Sequence, residues 1–214
     1  MSSTTTASKT ASGVLLGLTQ QASATVTVGS AIDVSTKLGV RIFVKMGRTV
    51  ATALTNQVGF RIEASPATSG NDEWVPFVSW TSQSGTTAAN STTLNGATSA
   101  GASTYSVASG TGLGSGNLIY LRETGTPANS EWSRVNGVSG TTVTPVDNLT
   151  RAHTNSIAVT NLAESWVFDL DVQTVERIRL VVDSASGNQG ITAASGQTVD
   201  VIGWYVSLDS VVST

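Results

Sequence analysis

The sequence predicts an all-β protein: an antiparallel, jelly-roll-like β-sandwich with a small β module inserted into it. Three observations carry this. Charged residues are only 12% of the 214 residues, and Ser, Thr, Gly, Ala and Val dominate, a composition of short strands and tight turns. No stretch keeps apolar residues at i, i+3, i+4 and i+7, whereas several alternate with the period of two that marks a half-buried strand. Finally, residues 85–158 begin with a run of Ser, Thr, Ala, Gly and Asn and then form short strands of their own, with apolar, turn-rich sequence on both sides. A chain of this length can close a real core, as one large or two small domains.

Residues 1–13 contain no large apolar side chain apart from Met1, so ordering them would cost roughly 1 to 2 kcal/mol per residue with little burial in return. They are expected to be a flexible arm, either a loose terminus or a contact to a neighbouring subunit through Lys9. The sandwich is expected over residues 14–84 and 159–214, with strand-like runs at 14–19, 24–28, 40–48, 58–65 and 74–80. Two of these alternate cleanly. Val40, Ile42, Val44 and Met46 share one face opposite Arg41 and Lys45, and Val58, Phe60, Ile62 and Ala64 share one opposite Arg61 and Glu63. Such one-sided strands belong to antiparallel sheets with one solvated or partner-facing surface.

Within the module, Tyr105 and Val107 alternate, residues 118–121 form an apolar run and residues 131–138 alternate again. Val138-Ser139-Gly140-Thr141-Thr142-Val143 places Ser-Gly between two strands, as a hairpin requires. After it, Ile178, Leu180 and Val182 face away from Arg177, Arg179 and Val181. The last strand, within residues 199–211, is apolar on both faces: Val199, Val201 and Tyr205 on one, and Ile202, Trp204, Val206 and Leu208 on the other. Such a strand is either central in its sheet or pressed against another chain.

Composition narrows the function. A net charge of −3 and the lack of any Lys/Arg cluster argue against a nucleic-acid partner. Zero cysteines exclude disulfides and thiolate metal sites. The longest apolar run near the N-terminus, Val14-Leu15-Leu16-Gly17-Leu18, is too short for a membrane span or a signal-peptide core. Synthesis in the cytoplasm and no membrane partner are therefore expected.

Chemistry finds little purchase. His153 is the only histidine, so any Ser/His/Asp triad would depend on it, and no Gly-x-Ser-x-Gly elbow presents a serine. It reads as a solvated turn residue. Asp169 and Asp171, two apart on a strand, fit calcium or a glycosidase pair only if other segments supply the rest of the site. They read more simply as solvated charges. The glycine-rich run from Ser109 to Gly116 lacks the helix and the closing Lys-Ser/Thr of a phosphate loop. No catalytic residue, metal site or cofactor is expected. Trp74, Trp80, Trp132, Trp166 and Trp204 suit core packing, and exposed ones would suit sugar stacking. Arg41, Lys45, Arg61, Glu63, Glu176, Arg177 and Arg179 are placed for a ladder of charges across one sheet, which is either solvated surface or a face that sets register against an acidic partner.

The module carries a resemblance. Tyr105-Ser106-Val107-Ala108-Ser109, Gly112-Leu113-Gly114-Ser115-Gly116-Asn117-Leu118-Ile119, Glu131-Trp132-Ser133-Arg134-Val135 and Val138-Ser139-Gly140-Thr141-Thr142-Val143-Thr144 resemble a short β module recurring in virion proteins of tailed bacteriophages. Asn117 stands where such modules more often carry Asp. The flanking sandwich, with Val58-Gly59-Phe60-Arg61-Ile62-Glu63-Ala64-Ser65 and Val201-Ile202-Gly203-Trp204-Tyr205-Val206, is similar to small phage structural proteins. The resemblance implies a virion component, foremost a capsid decoration or cement protein bridging major capsid subunits as a homo-oligomer, with a trimer favoured. A head-tail neck or tail protein is the second reading and a carbohydrate-binding or receptor-binding module the third. The expected contacts are Lys9 in the arm, Arg41, Lys45, Arg61, Arg177 and Arg179 on the charged face, and Trp132 and Trp204.

Overall fold

The computed structural model describes residues 5–22, 25–49, 57–70, 73–83, 89–184 and 198–212, with backbone alone at 5–12 and 210–212. The chain is all-β. Its strands are β1 (Thr5–Gln21), β2 (Val26–Val28), β3 (Ile32–Asp33), β4 (Lys37–Arg48), β5 (Gly59–Ser65), β6 (Val75–Thr81), β7 (Ser91–Thr93), β8 (Tyr105–Ser106), β9 (Leu118–Arg122), β10 (Glu131–Ser139), β11 (Thr142–Pro145), β12 (Ala158–Thr160), β13 (Glu164–Asp171), β14 (Arg177–Asp183) and β15 (Val199–Val212). A 3-10 turn, Pro127–Asn129, precedes β10.

Two antiparallel sheets form the sandwich, one ordered β1-β15-β4-β13 and the other β2-β14-β5-β6, with β3 a short addition beside β14. Leaving out β3 and the module, eight strands remain. The first sheet then holds the first, eighth, third and sixth of them, and the second holds the second, seventh, fourth and fifth. That interleaving is the jelly roll. The module enters between the fifth and sixth strands.

The alternating segments explain the core. Val40, Ile42, Val44 and Met46 from β4, Phe60, Ile62 and Ala64 from β5, and Ile178, Leu180 and Val182 from β14 are all buried in one cluster. Phe60, Trp80, Trp166 and Phe168 extend it as a group of rings with centroids 4.4 to 5.9 Å apart. β15, apolar on both faces, is central, hydrogen-bonded to β1 on one side and β4 on the other. Gly203 on β15 faces inward because a Cβ there would stand 2.5 Å from Leu180 Cδ2 of the opposing sheet.

Residues 5–13, expected as a flexible arm, are instead the first half of β1, in register from Thr5 opposite Val212 to Gly13 opposite Tyr205; residues 1–4 lie outside the described residues. The long edge of β15 supplies the backbone partners that the local sequence gives no sign of.

β7 to β12 make a third sheet, ordered β7-β12-β9-β10-β11-β8. It curls until its end strands meet: Leu94 bridges Val107, Ala108 N–H donates to Thr93 O at 2.8 Å and Asn95 N–H to Ser106 O at 2.9 Å. Leu94, Tyr105, Val107, Ile119, Leu121, Val135, Val143 and Val159 fill the interior, separate from the sandwich core. Gly140, at φ +59°, makes the hairpin between β10 and β11. Entry and exit are tied together, since Asn90 N–H donates to Asn161 Oδ1 at 2.8 Å and Asn161 N–H to Asn90 O at 3.0 Å.

Around Gly47 the small barrel is tied to the sandwich. The Tyr120 ring lies against Gly47, where a Cβ would be 2.3 Å from Tyr120 Cγ. Its hydroxyl donates to Asp200 Oδ2 at 2.7 Å, and Arg122 Nε donates to the same oxygen at 2.8 Å. Thr160 Oγ1 donates to Arg48 O at 2.7 Å. The glycine gives the ring room and Asp200 fixes its tip.

Candidate functional site: an open sheet face and an indole-lined cleft

The outer surface of the sheet β1-β15-β4-β13 is not covered by other parts of the described chain over most of its area. One row crosses all four strands, with Val14 opposite Trp204, Trp204 opposite Phe43 and Phe43 opposite Val167. Val14 is 59% and Val167 55% exposed. Trp204 stacks on Phe43 with centroids 5.4 Å apart and planes 11° from parallel. Beside this row runs another in which Val206 faces Arg41 and Arg41 faces Asp169. Arg41 grips Asp169 with both arms, Nε to Oδ1 at 2.6 Å and Nη2 to Oδ2 at 2.9 Å. The hydrogen bond from Arg41 holds the Asp169 carboxyl below its ordinary range. A shallow depression of about 470 Å³ lies among Arg41, Phe43, Asp169, Val206 and Leu208.

At the other end of the same face the barrel overhangs the sheet and makes a cleft of about 460 Å³. β1 gives Leu18, β4 gives Lys45, β15 gives Ile202 and Trp204, β10 gives Glu131 and Trp132, and the loop after β11 gives Thr150 and Arg151. Trp132 is held from behind by Tyr120, ring centroids 4.5 Å apart, and therefore by the Gly47 joint. The Lys45 ammonium lies between the two indoles, 6.0 Å from the Trp132 ring and 5.5 Å from the Trp204 ring. Burial lowers its pKa, with the Glu131 charge working in the opposite direction.

Glu131 is occupied. Its Oε1 accepts from Thr150 N–H at 2.8 Å and Thr150 Oγ1 at 2.9 Å, and its Oε2 accepts from Arg151 N–H at 3.2 Å. His153 Nε2 stands 3.1 Å from Oε2. An ionised carboxylate only accepts, so Nε2 carries the proton. Burial works against the Glu131 charge, yet these hydrogen bonds outweigh it and hold its pKa below the usual carboxylate range.

His153 corrects the expectation of a solvated turn. It is 3% exposed, bridged to Thr98 by two backbone hydrogen bonds of 2.9 and 3.0 Å, with Nδ1 3.8 Å from Glu123 Oε1. It pins the loop carrying Thr150 and Arg151 to the barrel wall. Among the described residues no hydroxyl is hydrogen-bonded to its ring.

The basic residues do not share one face. Arg41 and Lys45 stand on the outer face of the first sheet, while Arg61, Glu63, Arg177 and Arg179 stand on that of the second. There Glu63 accepts from Arg61 Nε at 2.6 Å and Arg179 Nε at 2.7 Å, and Arg61 Nη1 donates to Asp183 at 3.1 Å. Although burial opposes the Glu63 charge, these bonds keep its carboxyl below the ordinary range. Arg177 and Arg179 lie over the Trp74 ring at 4.9 and 4.1 Å, and Arg177 also donates to Ala67 O at 2.6 Å and Gly70 O at 3.0 Å. These cations are committed within the chain. Lys9 stands in β1 opposite Leu208, with its side chain outside the described residues. Trp80 and Trp166 join the core, whereas Trp132 and Trp204 line the cleft. Among the described residues no cluster of three or more His, Asp or Glu is placed to hold a metal ion.

No family model and no curated protein matches this chain. Among solved structures, one of infectious bursal disease virus Gt strain aligns over 98% of this chain and 42% of its own at 8% identity and a TM-score of 0.25. One of the Gx strain gives 11% identity and a TM-score of 0.21 over 98% of this chain and 41% of its own. VP17, a capsid protein of bacteriophage P23-77, aligns over 95% of this chain and 99% of its own at 8% identity and a TM-score of 0.18. This chain spans about two fifths of the length of the two bursal disease virus chains. Scores this low carry no inference about function.

Proposed function

We propose that this chain is a non-enzymatic structural component of a tailed-phage virion, and within it a capsid decoration or cement protein that bridges major capsid subunits as a homo-oligomer, foremost a trimer. The observation that carries the proposal is the open outer face crossed by Val14, Trp204, Phe43 and Val167. A soluble monomer does not ordinarily leave four such side chains in line across a sheet. Four strands about 4.8 Å apart and roughly ten residues long at ~3.3 Å each make a face of about 20 by 33 Å. That is near the ~800 Å² each partner contributes to a stable interface.

The barrel's sequence resemblance to tailed-phage virion modules supports the virion setting, and the jelly roll is an architecture used by viral capsid proteins as well as lectins. Fold alone does not assign function, so the surface and the module bear the weight. In this role the protein acts by bridging contacts, without cofactor, nucleic acid or membrane, and resides in the virion after synthesis in the host cytoplasm. A place in the head-tail neck or tail would use the same face.

Reconstitution tests it. Particles stripped of the protein should regain it when the purified chain is added, and should then withstand higher temperature before releasing DNA. Particles that neither take it up nor gain heat resistance would remove the proposal.

A further inference from the structure

The cleft between barrel and sandwich is built differently from the open face beside it. Its two indoles are each backed by another ring, Trp132 by Tyr120 and Trp204 by Phe43, so they are fixed before anything binds. Between them lies the Lys45 ammonium, which makes no hydrogen bond or ion pair with any described residue. A half-buried cation costs stability unless something compensates it. Among the described residues the compensation is the ring faces and the charge of Glu131, whose two oxygens are already filled by Thr150, Arg151 N–H and His153. Arg151 stands exposed at the rim. The site therefore offers an anion an unclaimed ammonium, a second cation at its mouth, and rigid aromatic walls.

We infer that this cleft binds a glycan through a carboxylated sugar, with the pyranose ring against the indoles of Trp132 and Trp204 and the carboxylate on the Lys45 ammonium. The volume of about 460 Å³ falls in the range of small-ligand pockets, and a pyranose presents both an apolar face for an indole and polar groups at its edge. An Asp or Glu side chain of a partner protein would meet the ammonium but has too short a stem to cover two indoles. Nothing in the inference depends on where in a virion the chain sits.

The test is a titration of the full-length protein, followed by tryptophan fluorescence and calorimetry. The carboxylated probes are oligogalacturonate and sialyllactose; methyl-esterified oligogalacturonate, lactose and a Glu-rich peptide are the comparators. The carboxylated sugars should bind at least about tenfold more tightly than their neutral counterparts and than the peptide. Lys45→Met should abolish that preference, and Trp204→Phe should weaken binding while leaving the unfolding midpoint near that of the parent. Tighter binding of the peptide, equal binding of charged and neutral sugars, or no carboxylated probe bound at about 5 mM would each overturn the inference.

Discussion

Replacing Gly47 by alanine probes the joint that positions Trp132 and with it the cleft. The new Cβ would lie 2.3, 2.4 and 2.9 Å from Tyr120 Cγ, Cδ1 and Cδ2, against about 3.5 to 4.0 Å for a relaxed carbon contact. The ring must therefore retreat by about 1 Å or more. It cannot do so freely, because it is fully buried, its hydroxyl is 2.7 Å from Asp200 Oδ2 and Trp132 lies behind it. Overpacking of this kind costs about 1 to 3 kcal/mol, and losing a hydrogen bond to a charged group about 1.5 to 3 kcal/mol. Since relieving one strain incurs the other, a loss of about 2 to 3 kcal/mol is expected for Gly47→Ala. Equilibrium unfolding in urea measures it. Repeating the substitution in a Tyr120→Ala background, which removes the three ring atoms concerned, should reduce the cost to about 0.5 kcal/mol or less, because alanine in a strand is otherwise better than glycine by up to ~1 kcal/mol. A neutral Gly47→Ala, or an equal cost in both backgrounds, would show that the ring does not bear on the glycine.

Val167→Glu, at a 55% exposed position on the open face, should change the stability of the isolated protein by no more than about 0.5 kcal/mol, while uptake by stripped particles falls sharply in a sedimentation assay. Removing residues 1–13 takes the partners from β15 between Tyr205 and Val212, so the thermal midpoint should drop; an unchanged midpoint would mean that this half of β1 adds nothing to the fold. Burial pushes the Glu164 carboxyl up to about 7, against hydrogen bonding from Gln83 N–H and the charge of Arg48. Its folded pKa thus exceeds the unfolded one, so its stabilising contribution is complete below about pH 4.5 and is lost as pH rises through 7. After allowance for solvent screening the loss is about 1 to 2 kcal/mol, and Glu164→Gln should flatten the stability profile in that window.

Much of the fold was legible because a two-residue period leaves no ambiguity about which side chains face in. Val40, Ile42, Val44 and Met46, Phe60, Ile62 and Ala64, and Ile178, Leu180 and Val182 are buried as the alternation requires, while Glu63 and Val181, on the opposite faces, are buried as well. The doubly apolar β15 is central, one of the two outcomes its composition left open. What the sequence hid depends on long-range pairing. Thr5 to Gly13 show no pattern of their own and become strand only because β15 continues beside them. Arg41 and Arg61 sit in equally clean alternating segments, and no local signal says that β4 and β5 lie in different sheets. His153 lies in a polar loop, and its burial follows from Glu131 at the start of β10 and Glu123 just after β9. The cleft draws on residues from 18 to 204; Trp132 and Trp204 could be singled out one by one, but their facing each other across Lys45 is a product of the barrel's seating on Gly47.

The count of this chain in purified virions, by quantitative mass spectrometry against the major capsid protein, tests the virion role most directly. Hundreds of copies per particle are predicted for a protein that cements the shell, and about six or twelve for the neck or tail. Particles in which the chain is absent would contradict a structural place in the virion altogether.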